Sequence, residues 1–350
     1  MFEEHLKIVS TNISTVSKII HTNNSLREIL FRENKVIQQL QQSDENEHWA
    51  KLINNIPDER EWQIYDHCAV VTRLYAIYER FVEDLIAAWL ENLPNIVNKY
   101  SDLEEKVKDT HQLGVGRLLL DLKKRRFEHL SINEVIQGLF NGVNDNEKYK
   151  LIPDAFLLHE QNLRREILDK VFADAGISNA WKWVDKHRKV KQFIEEVRGG
   201  QNTAEGELNE LITYRNDAAH GSSVDDVLGT KELLELGDFV DILCQSLVEL
   251  VNFQVILRQA EKGKAKEIGQ ITEWLKLRGA AIAKIKDITL AVGEKSFLVN
   301  EPTSYCQLAT IESIMINGIL KDKVVITHEQ DVGLKFDIDA KKGLRLYVIE

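Results

Sequence analysis

Arg215 and His220 stand five positions apart, and both are residue types that can act on a phosphodiester without a metal ion. A guanidinium stabilises the charge that develops on the phosphate oxygens in the transition state, and an imidazole titrating near neutrality transfers protons. Leu208, Leu211 and Ile212 precede Arg215 at helical spacing. The pattern predicts a helix whose buried face also carries this guanidinium, with the imidazole at or just beyond the helix end.

The string around this pair is more informative than the pair alone. Residues 208–221 are LNELITYRNDAAHG, which resembles the Arg-x4-His motif of HEPN domains in its Arg-Asn-x-x-Ala-His-Gly form. The string LYAIYERFVEDLI at 74–86 resembles the first helix of these domains. The order HEQNL at 159–163 followed by AGI at 175–177 is similar to the middle of the HEPN family associated with ribosomal L-PSP proteins. The resemblance extends over about residues 62–260.

This resemblance implies a helical bundle that pairs with a second copy, so that two motifs face each other in one cleft. It also implies a metal-independent endoribonuclease of a toxin–antitoxin or antiviral defence system, with no metal and no cofactor. Arg215 would then stabilise the transition-state phosphate, His220 would act as acid and base or position the ribose 2′-hydroxyl, and Asn216 would orient the scissile group. Glu79, Tyr214 and Asp217 are candidates for supporting contacts. A charge-assisted bond from Glu79 to Arg215 is one interpretation, and the favoured alternative is a solvated glutamate on the helix surface.

The chain departs from one HEPN subgroup, and two other functions stay open. Toxins silenced by AMP transfer have a Tyr two residues after the motif His, where this chain has Ser222, so that regulation is not expected. In the first alternative the chain is a non-catalytic HEPN-like scaffold for oligomerisation, with Arg215 and His220 bonding only within the bundle. In the second, a C-terminal β module binds the target and the helices only dimerise.

Two basic clusters are candidate RNA contacts. The first is a helical stretch in which cations alternate with Trp181, Trp183 and Phe193, as in proteins that stack bases and bind the backbone of single strands. Its cations are Lys182, Lys186, Arg188 and Lys189. The second cluster is the consecutive run of Lys123, Lys124, Arg125 and Arg126. The alternative for both is a solvated helix face, with the aromatic residues of the first cluster in the core.

Composition limits the classes of function. The net charge of −11 argues against a protein that coats nucleic acid along its length, because phosphate contacts need a broad excess of Lys and Arg. The three cysteines lie far from one another in the sequence, and no Cys or His stands near any of them at the spacing of a zinc finger. No apolar run approaches about 18 residues and the start is unlike a signal peptide, so we expect a cytoplasmic protein without a membrane partner. The expected partners are RNA, a second copy of the chain, and a protein inhibitor or activator.

The periodicity of apolar residues divides the chain into helical and β parts. Helical spacing is strongest over 61–93, and a long apolar helix after the motif closes the bundle. Short runs with two-residue alternation appear only near the end of the chain. The predicted fold is a mainly α bundle with a small C-terminal antiparallel β module. Its predicted parts are a helical hairpin at 1–60 that turns at HTNNS, residues 21–25, a HEPN-like domain at 61–262, a connector at 263–282 and the β-rich module at 283–350.

Overall fold

The computed structural model describes residues 2–32, 51, 54–145, 149–158, 161–220 and 224–349. Its α-helices are α1 (Glu3–Arg27), α2 (Glu59–Ile96), α3 (Glu105–Asp121), α4 (Ile132–Val143), α5 (Arg165–Asp174), α6 (Ala180–Lys186), α7 (Arg188–Glu196), α8 (Ala204–His220) and α9 (Thr230–Glu261). Its strands are β1 (Ala265–Leu275), β2 (Ala280–Ile285), β3 (Ile288–Ala291), β4 (Lys295–Asn300), β5 (Tyr305–Ile316), β6 (Ile319–Lys321), β7 (Lys323–Ile326), β8 (Gln330–Phe336) and β9 (Arg345–Ile349). The chain is therefore mainly α, as predicted, with a C-terminal antiparallel β region.

Helix α2 is the predicted long helix, and it extends slightly beyond the predicted bounds at both ends. It begins at a capping box, in which the Asp58 carboxylate accepts a hydrogen bond from the Glu61 N–H at 2.8 Å and the Glu61 side chain accepts one from the Asp58 N–H. Leu74, Tyr78 and Leu85 are completely buried, because apolar residues recur along one face. The helix carries the side chains that pack against the motif.

Helix α9 occupies the centre of the bundle, in contact with α1, α2, α6 and α7. By length and composition it is apolar enough to cross a membrane, but 72% of its most apolar stretch is buried inside the fold. Its apolar residues therefore serve as the core against which the amphipathic helices pack, as predicted for the helix that closes the bundle.

The N-terminal prediction needs correction, because no turn interrupts the chain at residues 21–25. Helix α1 runs through these residues, and a π-helical turn, Glu28–Arg32, continues it. Asn23 donates to Asp66 at 2.7 Å and Asn24 accepts from Thr230 at 2.9 Å. These residue types suggest a turn, but here their side chains bond to neighbouring helices. Helix α1 packs on α2 and α9 as part of the bundle, while most of the predicted second helix lies outside the described residues.

The C-terminal strands form a closed barrel. Strands β4, β9, β1, β2, β8 and β5 are neighbours in this order, and a pairing of β5 with β4 completes the circle. Strand β6 pairs antiparallel with the last residues of β5, and β3 pairs with β7 in a separate two-stranded sheet. Leu298 packs inside the barrel, whereas Phe297 and Val299 on either side belong to the core of the bundle. Because side chains alternate across a strand, β4 contributes to both cores and joins the barrel to the helices.

Strands β1 and β2 occupy the segment where we predicted a connector, so the β module begins about 18 residues earlier than predicted (283 minus 265). Ala265, Ile268 and Ile271 are buried in β1 at a spacing of three. The ladders of β1 shift register between Glu267 and Gly269 and again after Ile271, and these β-bulges remove the two-residue alternation used to recognise strands.

Candidate active site

The aromatic ring of Tyr75 on α2 supports the Arg215 guanidinium. Arg215 lies on α8, which packs along α2, and its guanidinium carbon is 5.0 Å from the centre of the Tyr75 ring. The side chain is half-buried, and its Nη1 donates to the Asn216 side-chain oxygen at 3.1 Å. Within the described part of the chain, Arg215 makes no ion pair with a carboxylate. Its charge is thus held in place by neutral groups.

His220 is the last residue of α8, and its side chain is exposed. Asn216, one turn earlier, accepts hydrogen bonds from both Arg215 and the side-chain amide of Asn162, each at 3.1 Å. The predicted trio of Arg215, Asn216 and His220 therefore lies within the last two turns of one helix. Two of its members are connected, and the imidazole is free to meet a ligand from solvent.

Tyr214 and Asp217, predicted to support the motif, lie apart from the Arg215 contacts. The Tyr214 hydroxyl donates to Asp226 at 3.4 Å, and its ring packs edge-on against His67 at 5.3 Å. Burial, with nearby carboxylates adding to it, raises the pKa of Tyr214 to about 12, so its hydroxyl is protonated at neutral pH. Asp217 is exposed on α8. Tyr214 fixes α8 to the start of α2.

Of the two interpretations of Glu79, the charge-assisted bond to Arg215 is absent from the described contacts. The Glu79 carboxylate instead accepts a hydrogen bond from the Tyr75 hydroxyl at 3.0 Å, and the same hydroxyl accepts from the Leu163 N–H at 3.1 Å. Burial raises the pKa of Tyr75, and the carboxylate of Glu79 acts in the same direction. Tyr75 and Glu79 are one helical turn apart on α2, so Glu79 contacts the tyrosine hydroxyl and not Arg215. Glu79 therefore helps to position the ring that lies under the guanidinium.

The basic run at 123–126 contacts α2 and the segment around Leu157 through Arg126. All four side chains are exposed at the end of α3. Arg126 donates to the Leu157 carbonyl at 2.8 Å and pairs with Glu83 at 3.4 Å. Glu83 lies two turns beyond Tyr75 on the same face of α2, about 12 Å along the helix axis. Arg126 therefore joins the run to α2 about two turns from the residue that supports Arg215.

The cluster on α6 and α7 differs from its prediction in two respects. Trp181, Trp183 and Phe193 are buried in the bundle core and are unavailable for stacking on bases. Arg188 makes two hydrogen bonds to the Glu249 carboxylate, at 2.7 and 2.8 Å, and lies over the Tyr305 ring. Its prediction as an RNA contact is therefore corrected, because its charge is already neutralised where the barrel meets the bundle.

The remaining cations of that cluster, Lys182, Lys186 and Lys189, are exposed. Lys189 donates to Gln245, which is fifteen residues into α9. At 1.5 Å per residue this is about 22 Å from the end of α9 that follows the motif. Lys186 and Lys189 line an open groove between α7 and the barrel. They form a basic surface separate from Arg215 and His220.

Several residues that build the site were missed at the level of sequence. Tyr75, Asn162 and Arg164 all lie on elements packed against α8, and Arg164 donates to the Asn209 side chain at 2.5 Å. For Tyr75, the sequence does contain one indication of a role, because Glu79 stands four residues later and the two side chains are neighbours on a helix. The other contacts join residues 45 and 54 positions apart, which no local pattern reveals.

Comparison with known proteins identifies a family for most of the chain. Residues 27–252 match the family model described as RiboL-PSP-HEPN, which includes α2 to α8 and most of α9. No curated protein and no solved structure matches the chain significantly. The match ends before the first strand, so the barrel lies outside the family model.

Proposed function

The chain belongs to the RiboL-PSP-HEPN family, and from this premise we propose that it is a metal-independent endoribonuclease with an active site shared between two copies. The observation that carries the proposal is the state of Arg215. Its guanidinium is half-buried, supported by the Tyr75 ring and bonded to an amide, so its charge is available to an anion. A structural arginine in such a position would ordinarily pair with a carboxylate.

The proposed reaction uses the ribose 2′-hydroxyl as the nucleophile. Its oxygen bonds to phosphorus while the bond from phosphorus to the 5′-oxygen breaks. A base removes the 2′ proton, and an acid returns a proton to the leaving 5′-oxygen. The products carry a 2′,3′-cyclic phosphate and a 5′-hydroxyl. Arg215 stabilises the charge on the phosphate oxygens, and Asn216 holds both Arg215 and the scissile group in register.

The composite site supplies the second proton-transfer group. A single imidazole serves as base or as acid at any one moment, whereas a two-fold dimer brings a second His220 to the same phosphate. The position of His220 supports this arrangement, because its side chain is exposed at the end of α8, where a second copy can reach it. A closed dimer is also the commonest symmetry by which one chain completes its own site.

The first experiment compares RNA cleavage by the wild type, Arg215→Ala and His220→Ala, with EDTA present throughout. We expect cleavage by the wild type and a loss of about 100-fold or more in each variant, since removal of one transition-state contact costs that much. Lys276→Ala, which removes an exposed cation just after β1 in the barrel, is the matched control and should retain the wild-type rate. Equal rates in all four proteins would assign Arg215 and His220 to a scaffold.

Mixing wild-type and His220→Ala subunits tests whether the site is shared. If each phosphate needs a His220 from both copies, an equal mixture in which the copies exchange keeps about one quarter of the wild-type rate, because only the dimers with two wild-type subunits cleave. Sites built within each copy keep about one half. The chain's role in a toxin–antitoxin or antiviral system, with an inhibitor or activator protein, is proposed from the family alone.

A further inference from the structure

The shielded arginines of this protein fall into two groups according to their partners. Among the described residues, the arginines whose side chains are not fully exposed are Arg27, Arg164, Arg188, Arg198, Arg215 and Arg258. Four of these pair with a carboxylate, namely that of Asp66, Glu249, Glu207 and Glu104 in turn. Arg164 and Arg215 bond instead to side-chain amides, those of Asn209 and Asn216. Among the shielded arginines that the structure describes, these two guanidinium groups are the ones without a carboxylate partner.

Both of these arginines lie along helix α8. Asn209 and Asn216, which bind them, are seven residues apart and so lie on nearly the same face, about 10 Å apart along the helix axis. A partly buried guanidinium without a carboxylate partner is well suited to bind a phosphate, to which it donates two parallel hydrogen bonds. The two arginines therefore define a line of positive charge along α8.

The backbone next to Arg164 is fixed by the same residues that support Arg215. The Leu163 N–H donates to the Tyr75 hydroxyl at 3.1 Å, and the Leu163 carbonyl accepts from the Tyr78 hydroxyl at 3.0 Å. Tyr75 thus supports Arg215 with its ring and holds the residue before Arg164 with its hydroxyl. One buried side chain therefore contacts both Arg215 and the residue that precedes Arg164.

We infer that Arg164 is a second phosphate-binding residue, which holds a phosphodiester of the same RNA strand adjacent to the one bound by Arg215. This inference rests on the proposed ribonuclease function. Arg164 makes no contact with the reacting atoms. It determines where the strand lies along α8, and hence which bond reaches His220.

Arg165 provides a matched control on the next residue. It is exposed, and its guanidinium pairs with the Glu205 carboxylate at 2.6 Å. Replacement of either arginine by alanine removes one positive charge from the same part of the surface. A general electrostatic effect on RNA binding would therefore be similar in the two variants, whereas a specific phosphate contact belongs to Arg164 alone.

The experiment measures binding of a fluorescent single-stranded RNA by anisotropy at several salt concentrations, in the full-length His220→Ala protein so that the RNA stays intact. We expect Arg164→Ala to raise Kd about 10-fold and to lower the salt-dependence slope by about 1, as for the loss of one phosphate contact. Arg164→Lys should keep the slope, and Arg165→Ala should change Kd by less than about 2-fold. Thermal unfolding of each variant verifies that the bundle is intact.

The outcomes separate this inference from the function on which it rests. Equal Kd values and slopes for Arg164→Ala and Arg165→Ala overturn the role of Arg164, even where the otherwise wild-type enzyme cleaves RNA. If RNA binding depends on Arg164 but the wild-type protein, which keeps His220, does not cleave RNA, the phosphate contact is supported and the ribonuclease function is overturned. A parent protein that does not bind RNA at all overturns both.

Discussion

The Glu249 carboxylate should be a principal connection between the bundle and the barrel. It is buried on α9 and accepts hydrogen bonds from Arg188, from the Cys306 N–H at 3.0 Å and from the Gln307 side chain at 2.8 Å. Burial acts to raise the pKa of Glu249, but hydrogen bonds from His187 and Arg188 outweigh it, and the pKa is lowered. The carboxylate therefore remains charged while joining His187 and Arg188, at the start of α7, to β5.

Replacement of Glu249 by alanine leaves the Arg188 guanidinium, which is 17% exposed, without a counter-charge, and the Cys306 N–H without an acceptor. Breaking a buried ion pair by removing one partner costs about 3–5 kcal/mol. An unpaired buried N–H costs about 1–3 kcal/mol. Because Arg188 retains some access to water and its stacking on Tyr305, we expect a total of about 3–5 kcal/mol.

Urea unfolding followed by circular dichroism measures this loss. Glu196→Ala, which removes an exposed carboxylate from neighbouring α7, is the control and should change the free energy of unfolding by less than about 0.5 kcal/mol. The double replacement Glu249→Met with Arg188→Met should recover part of the loss, because no charge then remains unpaired. A Glu249→Ala protein as stable as the control variant would refute the proposed connection.

Two further predictions concern buried polar groups of the bundle. Tyr75→Phe leaves the Leu163 N–H unpaired and should lower the free energy of unfolding, measured in urea, by about 1–3 kcal/mol. The phenyl ring still lies under Arg215, so the RNA cleavage rate should be unchanged. A loss of cleavage would contradict a role for the ring alone. Burial lowers the pKa of His111 to about 4, and its Nε2 accepts from the Ile152 N–H. As the pH falls from 6.5 to 4, the unfolded chain binds a proton that the native protein does not, so stability falls by up to about 3 kcal/mol. Unfolding titrations of His111→Phe should show a smaller loss over this range, and an equal loss would contradict the assignment.

Local patterns predicted the parts of this molecule that depend on periodicity and short motifs. Helices α2, α8 and α9 follow from apolar spacing, and the motif string identified the family. The contacts of Arg215 were not predictable, because Tyr75 lies 140 residues earlier in the chain (215 minus 75) and the two meet only when α2 packs on α8. Strand β1 escaped prediction because its bulges replace the two-residue alternation.

The basic clusters show the same limit. Lys182, Trp183 and Arg188 alternate in a way that suits either RNA binding or an amphipathic helix, and composition alone does not decide between them. The fold decides for two of the three: Trp183 packs in the core, and Arg188 pairs with Glu249. That pairing joins residues 61 positions apart and depends on the barrel, which the sequence did not relate to this cluster.

The measurement that tests the central claim most directly is the cleavage rate of one RNA oligonucleotide, set against the same oligonucleotide with a single 2′-deoxy residue at the cut site. The wild type in EDTA should cleave the first, leave a 2′,3′-cyclic phosphate and spare the modified bond, while His220→Ala cleaves neither. Cleavage of both oligonucleotides, or equal cleavage by wild type and His220→Ala, would contradict a reaction in which the motif activates the ribose hydroxyl.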